Sequence, residues 1–284
     1  MSTDDAPRLR LPNLRFVPVE ALIPHEQHDP HRSGPLSERL REQGVLRNPP
    51  IVTPLPPDDE RFVVLDGANR ATAAQEAGLP HIVVQVVRYE DPGIRLTTWH
   101  HALSDLPPAE FERALGTVEG LACLETDLRH ARAVLARREA IAFIALPDQR
   151  AITLHVGGEL HQRNAVLNAV VDAYRPRTRL YRVASDSLDD ARIEHPDVTA
   201  LVVFPHFEPE EVLELATGGA RLPAGITRHV IPWRALRLNV PLERLADAAQ
   251  SLAGKNLWLE EWLREKVHQR QVRFYQESTV LFDE

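Results

Sequence analysis

Hydrophobic and polar positions along the chain fall into short blocks with two different periods. Val63-Val64-Leu65 and Ile82-Val83-Val84-Gln85-Val86-Val87 are compact apolar runs, and Pro50-Ile51-Val52 is a shorter one; all read as strands. Upstream of them, Leu36-Ser37-Glu38-Arg39-Leu40-Arg41-Glu42-Gln43-Gly44 has helical spacing. An Ala-rich segment starting near Ala68 predicts a second helix ending at Gly78. Further on, the pattern predicts a helical run that includes Asp127 to Ala140. A hairpin of 140–146 with 151–156 follows, joined by Pro147-Asp148-Gln149-Arg150. A helix from Glu159 to about Tyr174, a buried strand at 200–204 and a helix from Glu208 to Ala216 opened by Pro209 come next. The chain closes with amphipathic helices carrying Trp258 and Trp262 and a strand at Val272-Arg273-Phe274-Tyr275. The fold class is α+β throughout, with a break near Ser104-Asp105-Leu106-Pro107-Pro108 that predicts one unit over 14–105 and a second over 106–284.

The junction Val63-Val64-Leu65-Asp66-Gly67-Ala68-Asn69-Arg70 carries the most chemistry. A strand running directly into a helix leaves unpaired N–H groups and the positive end of a helix dipole at one corner, where an anion can sit. Gly67 permits close backbone approach, and Arg70 adds a planar, permanently charged donor. The corner lacks the Gly-x-x-x-x-Gly-Lys of a Walker loop, and by itself it also fits a plain turn with a capping Asp.

Three further motifs accompany it: Pro24-His25-Glu26, Thr98-Trp99-His100 and Gly225-Ile226-Thr227-Arg228-His229. Together with the Asp66-Gly67-x-Asn69-Arg70 corner they resemble the ParB/sulfiredoxin superfamily, and within it the free L-serine kinases. The resemblance implies a ParB/sulfiredoxin-like N-terminal lobe that binds nucleotide and a second α+β lobe that binds substrate. It also implies phosphoryl transfer from ADP or ATP to the hydroxyl of L-serine, giving O-phospho-L-serine. Glu26 matches the family's catalytic glutamate, a carboxylate that orients the hydroxyl and takes its proton. Asp66, Gly67, Asn69 and Arg70 are the expected nucleotide contacts, with Asp66 also the expected Mg²⁺ ligand. Trp99, Thr227, Arg228 and His229 are the expected serine-binding group, Arg228 clamping the carboxylate. Family members often have His between the Gly and Arg of the corner. Ala68 and Asn69 stand here, so any role requiring an imidazolium there is unfilled.

Bulk properties narrow the alternatives. A formal charge of −8 over 284 residues disfavours a dedicated DNA-binding surface, and no helix-turn-helix is evident, which weakens a ParB-like regulatory reading without kinase activity. Sulfiredoxin-like reduction needs a cysteine in the Gly-rich corner, but the one cysteine is Cys123. A single cysteine also suits a reducing cytoplasm, and no long apolar run predicts a membrane span. His25, His28, Asp29 and His31 cluster in sequence, yet their spacing does not match His-Glu-x-x-His. The expected partners are L-serine and a nucleotide, with a homodimer one candidate assembly.

Overall fold

The computed structural model describes residues 11–27, 42, 44–55, 60–147 and 149–275. The predicted helix at 36–44 falls almost wholly outside them, as do His28, Asp29 and His31.

The first half builds a five-stranded sheet from β1 (Leu14–Pro18), β2 (Leu22–Pro24), β4 (Ile51–Pro54), β5 (Phe62–Asp66) and β6 (His81–Val86), with the short β3 (Val45–Leu46) outside it. The spatial order is β1-β6-β4-β5-β2, and helix α1 (Ala68–Glu76) connects β5 to β6. Gly78, at φ +65°, ends that helix as expected. β2 and β5 run parallel, with Pro24 opposite Val64. Their carboxyl ends therefore emerge side by side, the usual place for a ligand on such a sheet.

A second, six-stranded sheet follows the order β12-β8-β13-β10-β11-β9. Its members are β8 (His100–Ser104), β9 (Ala122–Asp127), β10 (Ala142–Ala145), β11 (Arg150–His155), β12 (Arg179–Val183) and β13 (Val198–Val203), and every pairing is antiparallel. Both faces are covered. Ile144, Ile152 and Val202 pack toward helices Pro108–Leu115, Leu160–Tyr174 and Pro209–Thr217. Phe143, Ala151 and Leu201 pack toward helices Leu128–Ala136 and Leu188–Glu194. Two buried faces explain why 140–146 and 200–204 read as unbroken apolar runs rather than alternating ones. The segment Glu208–Ala216 forms its helix with Pro209 in the first turn and a capping box between Glu208 and Glu211.

The pairing divides the chain differently from the expected split at residue 105. β8 lies before that point yet is a central strand of the second sheet. β7 (Arg95–Thr98), one residue earlier, pairs instead with β14 (Thr227–Val230). The chain's last elements return to the first sheet. β15 (Val240–Pro241) pairs with β3, and Leu238, Val240, Leu245 and Leu259 join Phe16 and Val83 in its core. Helix Leu252–His268 lies on β1, where Asn256 accepts from the Phe16 N–H at 2.8 Å and donates to its carbonyl at 3.1 Å. That clamp occupies the edge of β1, which would otherwise be open to another strand. β9 corrects the purely helical reading that followed the break: it is a polar, exposed edge strand, and Asp127 then caps the helix by accepting from the His130 N–H. Residues 272–275 form no strand, and Phe274 instead meets the Trp233 ring at 6.2 Å.

Because Leu259 is buried against the first sheet, Leu259→Ala should lower stability by about 2–5 kcal/mol, read from urea denaturation. An unchanged midpoint would mean the last helix does not contribute to this core.

Candidate active site

Pro24 closes β2, and the next two residues turn into the seam between the two halves. Leu222 stitches them in place: its N–H donates to the His25 carbonyl and its own carbonyl accepts from the Gln27 N–H, both at 2.8 Å. Glu26 then reaches the segment that leads into β14. Its Oε1 accepts from the Thr227 N–H at 2.7 Å and the Thr227 hydroxyl at 2.5 Å; Oε2 accepts from the Gly225 N–H at 2.7 Å. Three donors thus converge on the carboxylate, and the side chain retains 15% exposure. Gly225 is required there, for its φ is +77° and a Cβ would fall 2.1 Å from the Arg182 guanidinium carbon.

His25 is buried behind Glu26. Its Nδ1 donates to the Val64 carbonyl at 2.5 Å, and its Nε2 lies 2.7 Å from the Thr227 hydroxyl. The ring also meets His229 edge-to-face at 5.2 Å. His229 bonds to the Tyr89 hydroxyl at 2.8 Å, and burial, then the charges of His25 and Arg234, hold its imidazole well below the ordinary pKa. Burial pushes the Tyr89 phenol upward, with Glu210 adding to the effect.

The Asp66 corner stands beside this group at the end of the neighbouring strand. Gly67, at φ +85°, is itself the N-cap of α1, with no side-chain cap, so Asp66 is not the capping residue of a plain turn. Asp66 Oδ2 instead receives Arg70 at 3.3 Å and Arg234 at 3.2 Å. The Arg70 guanidinium lies over Gly67, where a Cβ would meet its Nη2 at 2.6 Å. Arg234 is a residue that motif reading missed; it comes from a loop 168 positions away, and only the Trp233-Arg234 pair after the Gly-Ile-Thr-Arg-His motif hinted at it. Asn69 is half-buried in the first turn of α1. Both arginines pair with Oδ2. A single carboxylate fits the way Mg²⁺ is usually held when nucleotide phosphates supply the other ligands. Among the described residues no group of three or more His, Cys, Asp or Glu is arranged to hold a metal ion.

The expected serine-binding group divides. Arg228 and Trp99 come together, the guanidinium carbon 4.4 Å from the ring centroid, because Trp99 lies between β7 and β8 and its N–H donates to the Ile226 carbonyl. Both are half-buried. Thr227 and His229 are buried, with their polar atoms turned inward to Glu26, His25 and Tyr89.

Fold and site together define an α+β protein in which a strand-to-helix corner stands beside a buttressed carboxylate. No protein-family model matches the chain. It is similar to the ATP-dependent L-serine kinase of Staphylothermus marinus, 24% identical over 234 residues, covering 81% of this chain and 90% of that protein. It is equally similar to the ADP-dependent L-serine kinase of Thermococcus kodakarensis, 24% identical over 251 residues, covering 86% and 100%. Among solved structures it matches a glutamate-to-glutamine variant of a free serine kinase in complex with AMP. The TM-score is 0.71 at 21% identity, over 83% of this chain and 95% of that one. The chain therefore has the free serine kinase fold, and the likeness read from its four motifs is borne out.

Gly67→Ala should cost about 1–2 kcal/mol, the penalty of a left-handed conformation for a residue with a Cβ. It should also displace Arg70. Denaturation measures the first effect and a structure of the variant the second; wild-type stability would mean the corner relaxes freely.

Proposed function

We propose that this chain is a nucleotide-dependent L-serine kinase that forms O-phospho-L-serine. The observation that carries the reading is the Glu26 carboxylate, held by three donors at the end of β2, beside the Asp66-Gly67-Asn69-Arg70 corner at the end of β5. The nucleotide's phosphates would rest on the first-turn N–H groups of α1, with Gly67 allowing close approach and Asn69 and Arg70 donating to phosphate oxygens. Arg234, held on Asp66, adds a second guanidinium to the same corner. Mg²⁺, when bound, would be held by Asp66 and the phosphates, and would neutralise charge on the transferring group.

Glu26 orients the serine hydroxyl and takes its proton as the terminal phosphoryl group passes across in line. Arg228, its guanidinium carbon 4.4 Å from the Trp99 ring centroid, clamps the serine carboxylate through paired N–H donors. Thr227 and His229 serve from behind, supporting Glu26 and His25. The donor is ADP or ATP, the nucleotides for which the two relatives are named.

Incubation with ADP or ATP, Mg²⁺ and single amino acids should yield phosphoserine from serine. Glu26→Gln should cut turnover by about 10²–10⁴-fold with nucleotide affinity nearly unchanged. Wild-type turnover in that variant would remove Glu26 from the chemistry.

Arg228→Lys keeps the charge and loses the fork. The Michaelis constant for serine should rise roughly ten-fold, equivalent to about 1.4 kcal/mol. Serine methyl ester, which lacks the carboxylate, should be a poor substrate that the substitution barely affects. Equal losses on serine and ester would assign Arg228 to the fold instead.

A further inference from the structure

The Thr227 hydroxyl has one proton and two neighbours that want it. Its Oγ1 lies 2.5 Å from Glu26 Oε1 and 2.7 Å from His25 Nε2. The other ring nitrogen of His25 faces the Val64 carbonyl at 2.5 Å. A carbonyl only accepts, so Nδ1 carries hydrogen and Nε2 of a neutral ring is an acceptor. The carboxylate is an acceptor too. With His25 neutral, one of the two contacts on Thr227 would set lone pair against lone pair in a buried place, where an unmade hydrogen bond is costly. One more proton removes the conflict, on Nε2 or on Glu26 Oε1, and only a proton on Nε2 leaves Glu26 free to act as the base. The chain then runs in one direction, from imidazolium N–H to the Thr227 oxygen and from the Thr227 O–H to Glu26 Oε1.

We propose that His25 is the positioning residue of the Glu26 base, acting as an imidazolium through the Thr227 hydroxyl. This deepens the serine kinase reading and rests on it. The oriented hydroxyl, together with the Thr227 N–H, binds Oε1 and fixes the direction of the carboxylate. Oε2, which receives the Gly225 N–H, keeps a lone pair for the substrate. In the transfer the serine O–H bond breaks and its proton goes to Oε2. The serine oxygen's electron pair forms the bond to the terminal phosphorus. The bond from that phosphorus to the nucleotide's bridging oxygen breaks, and its electron pair stays on the nucleotide. The protons of His25 and Thr227 stay in place, and Glu26 returns its own to solvent after the products leave.

The titratable groups facing His25 support this assignment. Glu26 is 3.9 Å from Nε2 and pairs with the charge. His229, on β14, meets the ring edge-to-face and is held neutral; Tyr89 and Arg234 stand beyond it and act on His229.

Nitrogen-15 NMR of the free protein tests the protonation without turnover. His25 should show both ring nitrogens protonated at neutral pH, and should lose that signature at lower pH in Thr227→Val and Glu26→Gln than a simple change of fold would give, with nucleotide binding retained as the check on folding. In the kinase assay, Thr227→Val should lower kcat about ten-fold, one hydrogen bond's worth, with little change in KM for the nucleotide. The wild-type fall in kcat at alkaline pH should flatten in His25→Gln, and Thr227→Ser should restore both rate and profile. A neutral His25 ring in the wild type, or a Thr227→Val enzyme with wild-type kcat and pH profile, would overturn the proposal. A wild type that makes no phosphoserine would refute the kinase reading, and the nitrogen shifts would still decide the state of His25.

Discussion

A carboxylate drawn into a protein needs donors to replace the water it loses, and the seam of this structure depends on the three that Glu26 receives. Its donors come from Gly225 and Thr227, about two hundred positions along the chain. The contact therefore does two things at once. It holds the Glu26 carboxylate in one orientation, and it fixes β14 against the end of β2. Leu222 repeats the closure through the backbone with the His25 carbonyl and the Gln27 N–H. The functional group and the joint between the two halves are the same set of hydrogen bonds, so the geometry of one cannot drift without the other.

Much of this architecture was readable from local signals. Apolar runs located β5, β6, β10, β11 and β13, and the Pro209 and Gly78 signals placed a helix start and a helix end. Those features depend on neighbouring residues, which a sequence displays directly. The polar edge strand β9 was not readable, because an exposed edge carries no apolar pattern and exists only through its pairing with β11. The expected strand at 272–275 had the composition and lacked the pairing.

The site shows the same division. Glu26, Asp66, Gly67, Arg70, Trp99 and Arg228 stand out as motif members. What each one touches depends on partners far away in sequence. Arg234 on Asp66 and Thr227 on His25 are contacts of this kind. Thr227 and His229 were legible as members of a site, but a motif does not disclose whether a side chain faces the ligand or the residue that faces it. In this fold both are turned inward.

The return of the last helix to the first sheet has a consequence for how the molecule is made. β1 through β6 leave the ribosome early, but the apolar face they share stays incomplete until Leu238, Val240, Leu245 and Leu259 emerge. The second sheet's strands, 100–203, lie entirely between these two contributions and can pair with one another first. Synthesis from the N-terminus usually lets the leading unit fold alone. Here the leading sheet is finished last, and its closure must wait on contacts spanning more than two hundred residues, a long loop to order before the core is rewarded.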